Sequence, residues 1–180
     1  MLYYIHGYES SPNSAKGKLL KEKLGVIPIR YREGNRVVIS ECLKRIEETI
    51  DGDDDVTLIG SSFGGLLAAK LALKNHSIKR LILINPAIIP PDENIDVLPV
   101  PKEVAKDMQD DGLFTRKIDA DIFIIMSTED ELIPKSWVLE FSMAQEATVK
   151  FLHDDHRLTR NIGKLPDIIS TTTYRNVMML

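Results

Sequence analysis

The strongest chemical signal in this sequence is the pentapeptide Gly-Ser-Ser-Phe-Gly at residues 60–64, which fits the pattern G-x-S-x-G. It follows the apolar run 56–59 and precedes a helical pattern, so the central serine would lie at a sharp strand-to-helix turn. Such a turn exposes the serine hydroxyl and leaves room only for glycine two positions to either side. We therefore predict Ser62 as a nucleophile, ahead of Ser61. A glycine-rich turn with an idle serine is the alternative.

A serine hydroxyl needs a base to act as a nucleophile, and the chain has four histidines. His156 follows the predicted last strand, from where a loop can reach the carboxyl ends of neighbouring strands. We predict His156 as the base, ahead of His153. His6 is expected to brace a loop after the first strand, and His76 to lie on the surface. Because two aspartates separate His153 from His156, a metal site is the alternative reading of that segment.

A carboxylate that orients the histidine is expected in the acidic segment 129–131, directly after the predicted fifth strand. The order serine, acid, histidine along the chain is the one expected for a G-x-S-x-G turn in a parallel sheet. Three acids compete for this role: Glu129, Asp130 and Glu131. Helix capping and solubility are the alternative roles for such a loop.

Short apolar runs alternate with amphipathic segments along the chain, and this alternation predicts an α/β fold in which helices cover a mainly parallel sheet. The predicted strands are Leu2–His6, Val26–Tyr31, Val56–Gly60, Arg80–Asn85, Asp121–Ser127 and Thr148–His153. The predicted helices are Ser14–Leu24 with Ser14 as N-cap, Val37–Ile50, Phe63–Lys74, Pro134–Ala144 and about Lys164–Met178.

Five prolines interrupt the connection between the predicted fourth and fifth strands and leave room for one short helix near Lys102–Gln109. Long proline-rich connections are often lids or binding loops, so we predict a small cap at residues 86–120 within a single domain of residues 1–180. A disordered surface insertion is the alternative. Candidates to line an acyl pocket are Ile88, Ile89, Val97, Leu98 and Val100.

The composition excludes several classes of protein. With 23 Lys and Arg against 27 Asp and Glu, the formal net charge of −4 argues against a nucleic-acid surface. The longest apolar runs have five residues, whereas a membrane span needs about 18 or more. The single cysteine, Cys42, forbids an internal disulfide and is predicted to be an inert core thiol. Since no basic leader precedes the first strand, we expect a cytoplasmic protein.

Taken together, these segments resemble the α/β-hydrolase superfamily, and in particular its small YqiA-like esterases. The resemblance covers nearly the whole chain and implies a compact hydrolase fold with about six strands. It rests on residues 4–8 (Tyr-Ile-His-Gly-Tyr), 10–12 (Ser-Ser-Pro), 60–65 (Gly-Ser-Ser-Phe-Gly-Gly), 85–87 (Asn-Pro-Ala) and 130–131 (Asp-Glu).

The resemblance implies a catalytic triad in which Ser62 is the nucleophile, Asp130 the acid and His156 the base. It also implies that the backbone amides of Tyr8 and Phe63 form an oxyanion hole. The activity implied is that of a serine hydrolase without cofactor or metal, most simply a carboxylesterase acting on small or short-acyl esters. A thioesterase, an amidase and a non-catalytic binding protein on the same scaffold are the alternatives.

Substrate contacts are expected from Tyr8, Ile88 and Ile89. Two features depart from the family pattern. Glu129 stands where a glycine commonly precedes the acid, which leaves open whether Glu129 or Glu131 replaces Asp130. Asp154 and Asp155 stand where glycines commonly lead into the histidine, and we expect both to be exposed to solvent.

Overall fold

A six-stranded parallel sheet runs through the centre of the protein, in a computed structural model that describes residues 1–174 except the side chains of Val97, Thr173 and Tyr174. The strand order is β2-β1-β3-β4-β5-β6, and every neighbouring pair is parallel. This architecture confirms the predicted α/β fold. The strands are β1 (Leu2–Ile5), β2 (Ile27–Pro28), β3 (Val56–Ser61), β4 (Ile78–Ile84), β5 (Asp121–Ser127) and β6 (Thr148–Leu152).

Helices connect successive strands, as parallel pairing requires. Those in the described residues are α1 (Ala15–Leu24), α2 (Ile39–Ile50), α3 (Phe63–Ala72), α4 (Lys102–Met108), α5 (Gly112–Thr115), α6 (Lys135–Gln145) and α7 (Leu165–Tyr174). None of them combines the length and the apolar character that a membrane crossing needs. Residues 175–178 of the predicted last helix lie outside the described residues.

The two faces of the sheet are covered by different helices. Leu58 of β3 belongs to one hydrophobic cluster and its neighbour Ile59 to the other, because successive side chains of a strand point to opposite faces. The first cluster includes Ile46 of α2 and Phe141 of α6, and the second includes Ile169 of α7. Burial on both faces explains why the strands read as continuous apolar runs.

Helix α3 follows β3 directly and is buried along its whole length. A helix that is apolar on all sides belongs in a core, and α3 is apolar except at Lys70. The Lys70 ammonium is nearly buried and donates a hydrogen bond to the Asp110 carboxylate at 2.9 Å. This ion pair ties α3 to the connection between β4 and β5.

Strand β2 is shorter than predicted, with two residues against the six of Val26–Tyr31. Pro28 has no N–H to donate, and β2 lies at the edge of the sheet, where a proline is tolerated. The contact with β1 continues for one more hydrogen bond, from Ile29 N–H to Tyr4 C=O at 2.8 Å. The other predicted strands agree with the structure to within two residues at each end.

The connection of residues 86–120 is more ordered than a surface insertion would be. Its described part holds a 3₁₀ turn at Ile95–Val97, α4 and α5, where the sequence predicted a single short helix. Its first residues, 87–90, are buried. The Gln109 side-chain amide donates to the carbonyl oxygens of Pro90 at 3.3 Å and Pro91 at 3.1 Å, which closes the connection on itself.

The start of α3 packs against β1 with no side chain between them, which generates a stability prediction. A Cβ on Gly64 would lie 2.2 Å from the Ile5 carbonyl oxygen, a backbone atom that cannot move aside cheaply. We expect Gly64→Ala to lower the free energy of unfolding by about 3 kcal/mol, measured by urea denaturation. Gly163→Ala is the control, since a Cβ there meets no atom within 4 Å. It should leave the free energy unchanged or raise it by up to about 1 kcal/mol. Equal effects would contradict the packing argument.

Candidate active site

The turn between β3 and α3 holds Ser62 at the carboxyl edge of the sheet. Ser62 has φ 55° and ψ −119°, a strained conformation for a residue with a side chain. A Cβ on Gly60 would lie 2.5 Å from the Gly64 carbonyl oxygen, and one on Gly65 would lie 2.9 Å from Cβ of Pro86. The predicted strand–turn–helix arrangement is therefore present, and its glycines are required by steric contact.

The His156 ring lies against the Ser62 hydroxyl. Its Nε2 is 3.0 Å from Ser62 Oγ, although the two residues are 94 positions apart in the chain. The loop after β6 carries the histidine to this position, as the sequence predicted. The residue is 8% exposed, so little solvent reaches the ring.

On the other side of the His156 ring, Nδ1 lies 2.8 Å from Oδ2 of Asp130. The Asp130 side chain is fully buried. Its second oxygen, Oδ1, accepts hydrogen bonds from the backbone N–H groups of Leu132 at 2.9 Å and Ile133 at 2.8 Å. These contacts hold the carboxylate in one orientation toward the ring.

The neighbouring acids have other partners. Glu129 accepts a hydrogen bond from the Arg160 guanidinium at 2.6 Å and also lies 3.6 Å from the His153 ring. The Glu131 carboxylate accepts from the backbone N–H of His156 at 3.1 Å, whereas the two ring nitrogens of His156 face Asp130 and Ser62. Of the three acids that compete in sequence, the structure brings Asp130 to the imidazole.

The rings of the other histidines have partners other than Ser62. His6 is buried, its Nδ1–H donates to the Gly7 carbonyl at 2.8 Å, and its ring stacks on that of Tyr31 at 4.3 Å between centroids. Burial lowers the pKa of His6 to about 4, so it is neutral near pH 7. His76 and His153 are exposed. Within residues 1–174, no three His, Cys, Asp or Glu side chains are grouped to hold a metal.

The loop after β1 lies directly against the nucleophile candidate. A Cβ on Gly7 would be 3.4 Å from Cβ of Ser62, so this loop approaches as backbone. The ring of the next residue, Tyr8, meets that of Phe63 edge to face at 5.6 Å. Phe63 opens α3, and the first N–H groups of a helix have no partner within it. Both predicted oxyanion-hole residues therefore border Ser62.

Arg32 is a residue of this region that the sequence did not single out. Its guanidinium donates a hydrogen bond to the Tyr8 carbonyl and lies 5.4 Å from the centre of the Tyr8 ring. It thereby fixes the loop that carries the Tyr8 amide. No local pattern marked it, because Arg32 lies in an irregular segment whose path is set only in the folded chain.

A cavity of about 390 Å³ opens beside Ser62. Tyr8, Leu98 and Val100 line it, whereas the Val97 side chain lies outside the described residues. Its other apolar lining includes Ala87, Pro99, Met108, Leu132 and Ile133. A second cavity of about 600 Å³ lies at the amino ends of β4, β5 and β6, away from the serine.

Ile88 and Ile89 do not line the cavity beside Ser62, which corrects their predicted role as substrate contacts. Both are fully buried in the larger hydrophobic cluster. An apolar pair after a strand suits a core and a pocket equally well. The path of the chain after Pro86 places both side chains in the core.

Asp154 is also placed differently from its prediction. It is fully buried rather than exposed, and its carboxylate accepts four hydrogen bonds that shape the loop before His156. The donors are the backbone N–H groups of Asp155 (2.9 Å), Arg160 (3.2 Å) and Asn161 (2.7 Å) and the Asn161 amide (2.8 Å). Asp155 is half-buried and accepts from Thr159.

Together these side chains can move a proton. With Nδ1–H donated to the buried Asp130 carboxylate, His156 presents a bare Nε2 to the Ser62 hydroxyl. Nε2 can then accept the serine proton while Asp130 stabilises the imidazolium that forms. This geometry is able to activate the Ser62 hydroxyl for nucleophilic attack.

Comparison with known proteins identifies the fold. The model of a family described as "Uncharacterised protein family (UPF0227)" matches residues 1–172. Alpha/beta hydrolase domain-containing protein 10 from mouse has a TM-score of 0.77 at 19% identity, covering 96% of this chain and 88% of its own. Est1E from Butyrivibrio proteoclasticus, solved with ferulic acid bound, has a TM-score of 0.77 and 18% sequence identity. The match covers 98% of this chain and 88% of Est1E. The esterase Pf2001 from Pyrococcus furiosus has a TM-score of 0.72 and 17% sequence identity. The match covers 96% of this chain and 79% of the esterase.

The burial of Asp154 generates a prediction for the loop before His156. Burial raises the pKa of the Asp154 carboxyl, but its N–H donors outweigh that effect and hold the pKa below its usual range. Asp154→Asn would turn an amide N–H₂ toward donors, so the free energy of unfolding at pH 7 should fall by about 2 kcal/mol. Asp119→Asn, at an exposed position, should change it by less than about 0.5 kcal/mol.

The pH dependence of this difference follows from the lowered pKa. A carboxylate whose pKa is lower in the folded state contributes its full stability above its pKa in the unfolded state, about 3.9. That stability is lost as the pH falls through its pKa in the folded state. The gap between wild type and Asp154→Asn should therefore be constant from about pH 7 to 5 and narrow below about pH 4. Urea denaturation across this range measures it, and a gap that widens toward low pH would contradict the assignment.

Proposed function

This chain belongs to the UPF0227 family and has an α/β-hydrolase fold, and we propose that it is a serine hydrolase, most simply a carboxylesterase. The observation that carries the proposal is the line of two hydrogen-bond contacts from Ser62 Oγ through the His156 ring to Asp130, at 3.0 Å and 2.8 Å. His156 is buried, and its contact with Ser62 gives the fold no stability that a well-packed apolar pair would not also supply.

In the first half of the proposed reaction, Ser62 Oγ attacks the carbonyl carbon of an ester. His156 Nε2 takes the serine proton as the bond forms and then gives it to the departing alkoxide, so the alcohol leaves neutral. The product is an acyl-enzyme on Ser62. Asp130 keeps the ring in the required tautomer throughout.

In the second half, water attacks the acyl-enzyme. His156 removes a proton from that water and returns it to Ser62 Oγ as the carboxylic acid leaves. In both halves the His156 imidazole begins as the proton acceptor and ends as the proton donor. No metal or organic cofactor takes part in these steps.

The negative charge that develops on the substrate oxygen requires donors held beside Ser62. We assign this role to the backbone N–H groups of Tyr8 and Phe63. The position of Phe63 at the start of α3 supports it, because the positive end of the helix dipole favours negative charge there. The hydrogen bond from Arg32 to the Tyr8 carbonyl supports the other half by holding that loop in place.

The cavity beside Ser62 supports a small or short-acyl substrate. Its volume of about 390 Å³ is near the lower end of the range of about 300–1,000 Å³ for small-molecule sites. The 86–120 connection, which we propose as a cap, contributes five apolar residues to the lining: Ala87, Leu98, Pro99, Val100 and Met108. Thioesters and amides would meet the same groups, and kcat/KM on matched acyl esters, thioesters and amides would rank the three.

Covalent labelling by a serine-directed fluorophosphonate tests the nucleophile without a known substrate. We expect labelling of the wild type, none of Ser62→Ala, and labelling of His156→Gln at least about a hundredfold slower because the general base is lost. His153→Gln is the matched control, since that histidine is exposed and lies away from Ser62. Absence of labelling in the wild type would favour a binding protein on this scaffold, and persistence in Ser62→Ala would move the nucleophile elsewhere.

The acid is tested by three carboxamide substitutions within one loop. Asp130→Asn should lower kcat for a p-nitrophenyl ester by up to about 10⁴-fold, because the amide favours the wrong histidine tautomer. Glu129→Gln and Glu131→Gln should each change kcat by less than about tenfold, since neither carboxylate touches the ring. A loss in Glu129→Gln as large as that in Asp130→Asn would transfer the role of acid to Glu129.

A further inference from the structure

Two side chains from other elements hold the main chain of His156 itself. The backbone N–H of His156 donates to Oε2 of Glu131 at 3.1 Å, and its backbone C=O accepts from Nδ2 of Asn85 at 2.9 Å. Asn85 directly follows β4, and Glu131 lies in the loop after β5. The residue that carries the proposed base is thus tied at both of its backbone polar groups to the ends of two neighbouring strands.

The other hydrogen bonds of Asn85 fix the orientation of its amide toward the His156 carbonyl. It is fully buried and has φ 44°, a left-handed conformation that asparagine tolerates better than most residues. Its Oδ1 accepts from the backbone N–H of Ser127 at 2.7 Å, and Nδ2 also donates to Ser127 Oγ at 2.9 Å. Because Oδ1 must face that N–H, Nδ2 must face the His156 carbonyl, so the amide cannot flip.

Glu131 differs from Asn85 because it is exposed. A carboxylate free in solvent gains little from folding, yet this one accepts a charge-assisted hydrogen bond from the backbone of the base. Asp130, the residue before it, contacts the ring of the same histidine. Two consecutive acids therefore contact the same histidine: Asp130 contacts its ring, and Glu131 contacts its backbone N–H.

We propose that Glu131 and Asn85 are positioning residues, which fix the His156 main chain so that Nε2 stays on the Ser62 hydroxyl. The inference rests on the proposed function, because positioning matters only if His156 acts on Ser62. A displacement of about 1 Å at a reacting group can cost on the order of 100-fold in rate. The loop before His156 is shaped by Asp154, but the ring depends on the backbone position of His156 itself.

Substitutions at Glu131 separate the hydrogen bond from the charge. Glu131→Ala and Glu131→Gln both remove the negative charge, but the glutamine keeps an oxygen that can accept from the His156 N–H. With all variants assayed at the same mildly alkaline pH, Glu131→Ala should lower kcat for a p-nitrophenyl ester by about tenfold or more, with KM within about twofold of wild type. Glu131→Gln should restore kcat to within about threefold of wild type.

The control is Glu129→Ala, which removes a carboxylate from the same loop without touching His156. It should keep kcat within about threefold of wild type. Thermal unfolding should show nearly equal midpoints for the two alanine variants, because both positions are exposed. A loss of kcat confined to Glu131→Ala then cannot come from lost stability.

A proton NMR measurement reports the position of the ring without any substrate. The His156 Nδ1–H that is hydrogen-bonded to Asp130 should give a downfield resonance in the wild type and in Glu131→Gln. This resonance should broaden or disappear in Glu131→Ala, because a mobile backbone lengthens the Nδ1–Asp130 contact. Asn85→Asp should do the same, since it keeps an oxygen for the Ser127 N–H but loses the donor to the His156 carbonyl.

The outcomes separate this inference from the proposed function. Equal kcat values and equal resonances in Glu131→Ala and Glu131→Gln would overturn the positioning role, whether or not Asn85→Asp folds. If the wild type neither hydrolyses esters nor reacts with a fluorophosphonate, the proposed function fails, and the NMR comparison still decides whether Glu131 positions the ring. A loss of kcat and of the resonance in Glu131→Ala, with both restored in Glu131→Gln, is the result we expect.

Discussion

The close packing of the first turn of α3 against β1 is the contact on which the candidate site depends. At Gly64 the helix backbone lies so near the Ile5 carbonyl that no Cβ fits between them. This approach forces the sharp turn in which Ser62 takes a positive φ and exposes its hydroxyl at the carboxyl edge of the sheet. The same approach places Gly7 against Ser62 and so brings the Tyr8 amide next to that of Phe63.

Buried polar groups hold the loops at this edge in place. Asn85 and Ser127 bond to each other at the ends of β4 and β5, and Asp154 gathers four N–H donors in the loop before His156. Buried polar groups stabilise a structure only when they are satisfied. Among the described residues, no buried side-chain nitrogen or oxygen lacks a hydrogen-bond partner. The loops therefore gain a defined geometry from polar contacts that an apolar packing would not specify.

Three consecutive acids, at residues 129–131, have different partners because the backbone points their side chains in different directions. Glu129 pairs with Arg160 on the surface, Asp130 turns into the protein toward the His156 ring, and Glu131 accepts from the His156 main chain. All three are carboxylates at adjacent positions, but the Asp130 side chain is fully buried, whereas Glu129 and Glu131 are exposed. A carboxylate beside a histidine in a water-poor site interacts far more strongly than the same group in solvent.

The α/β architecture and the three residues of the candidate site, Ser62, Asp130 and His156, could be predicted from the sequence. The alternation of apolar strands with helical segments follows from local periodicity, and the glycines around Ser62 follow from the turn that they permit. Both are properties of neighbouring residues, so they can be recognised along the chain. The order of Ser62, Asp130 and His156 along the chain is also visible in the sequence, and it favours an acid that lies between the serine and the histidine.

Which side chains contact each other could not be predicted from the sequence, because it depends on how the chain folds. It brought Asp130 rather than its neighbours to the ring, buried Asp154, and placed Ile88 and Ile89 in the core instead of the pocket. Each of these outcomes depends on the path of a loop between distant strands. In sequence, an acid in such a loop is equally compatible with a helix N-cap, an exposed position or a buried hydrogen-bond network. The free energy of burying its carboxylate depends on the hydrogen-bond donors that the folded chain brings around it.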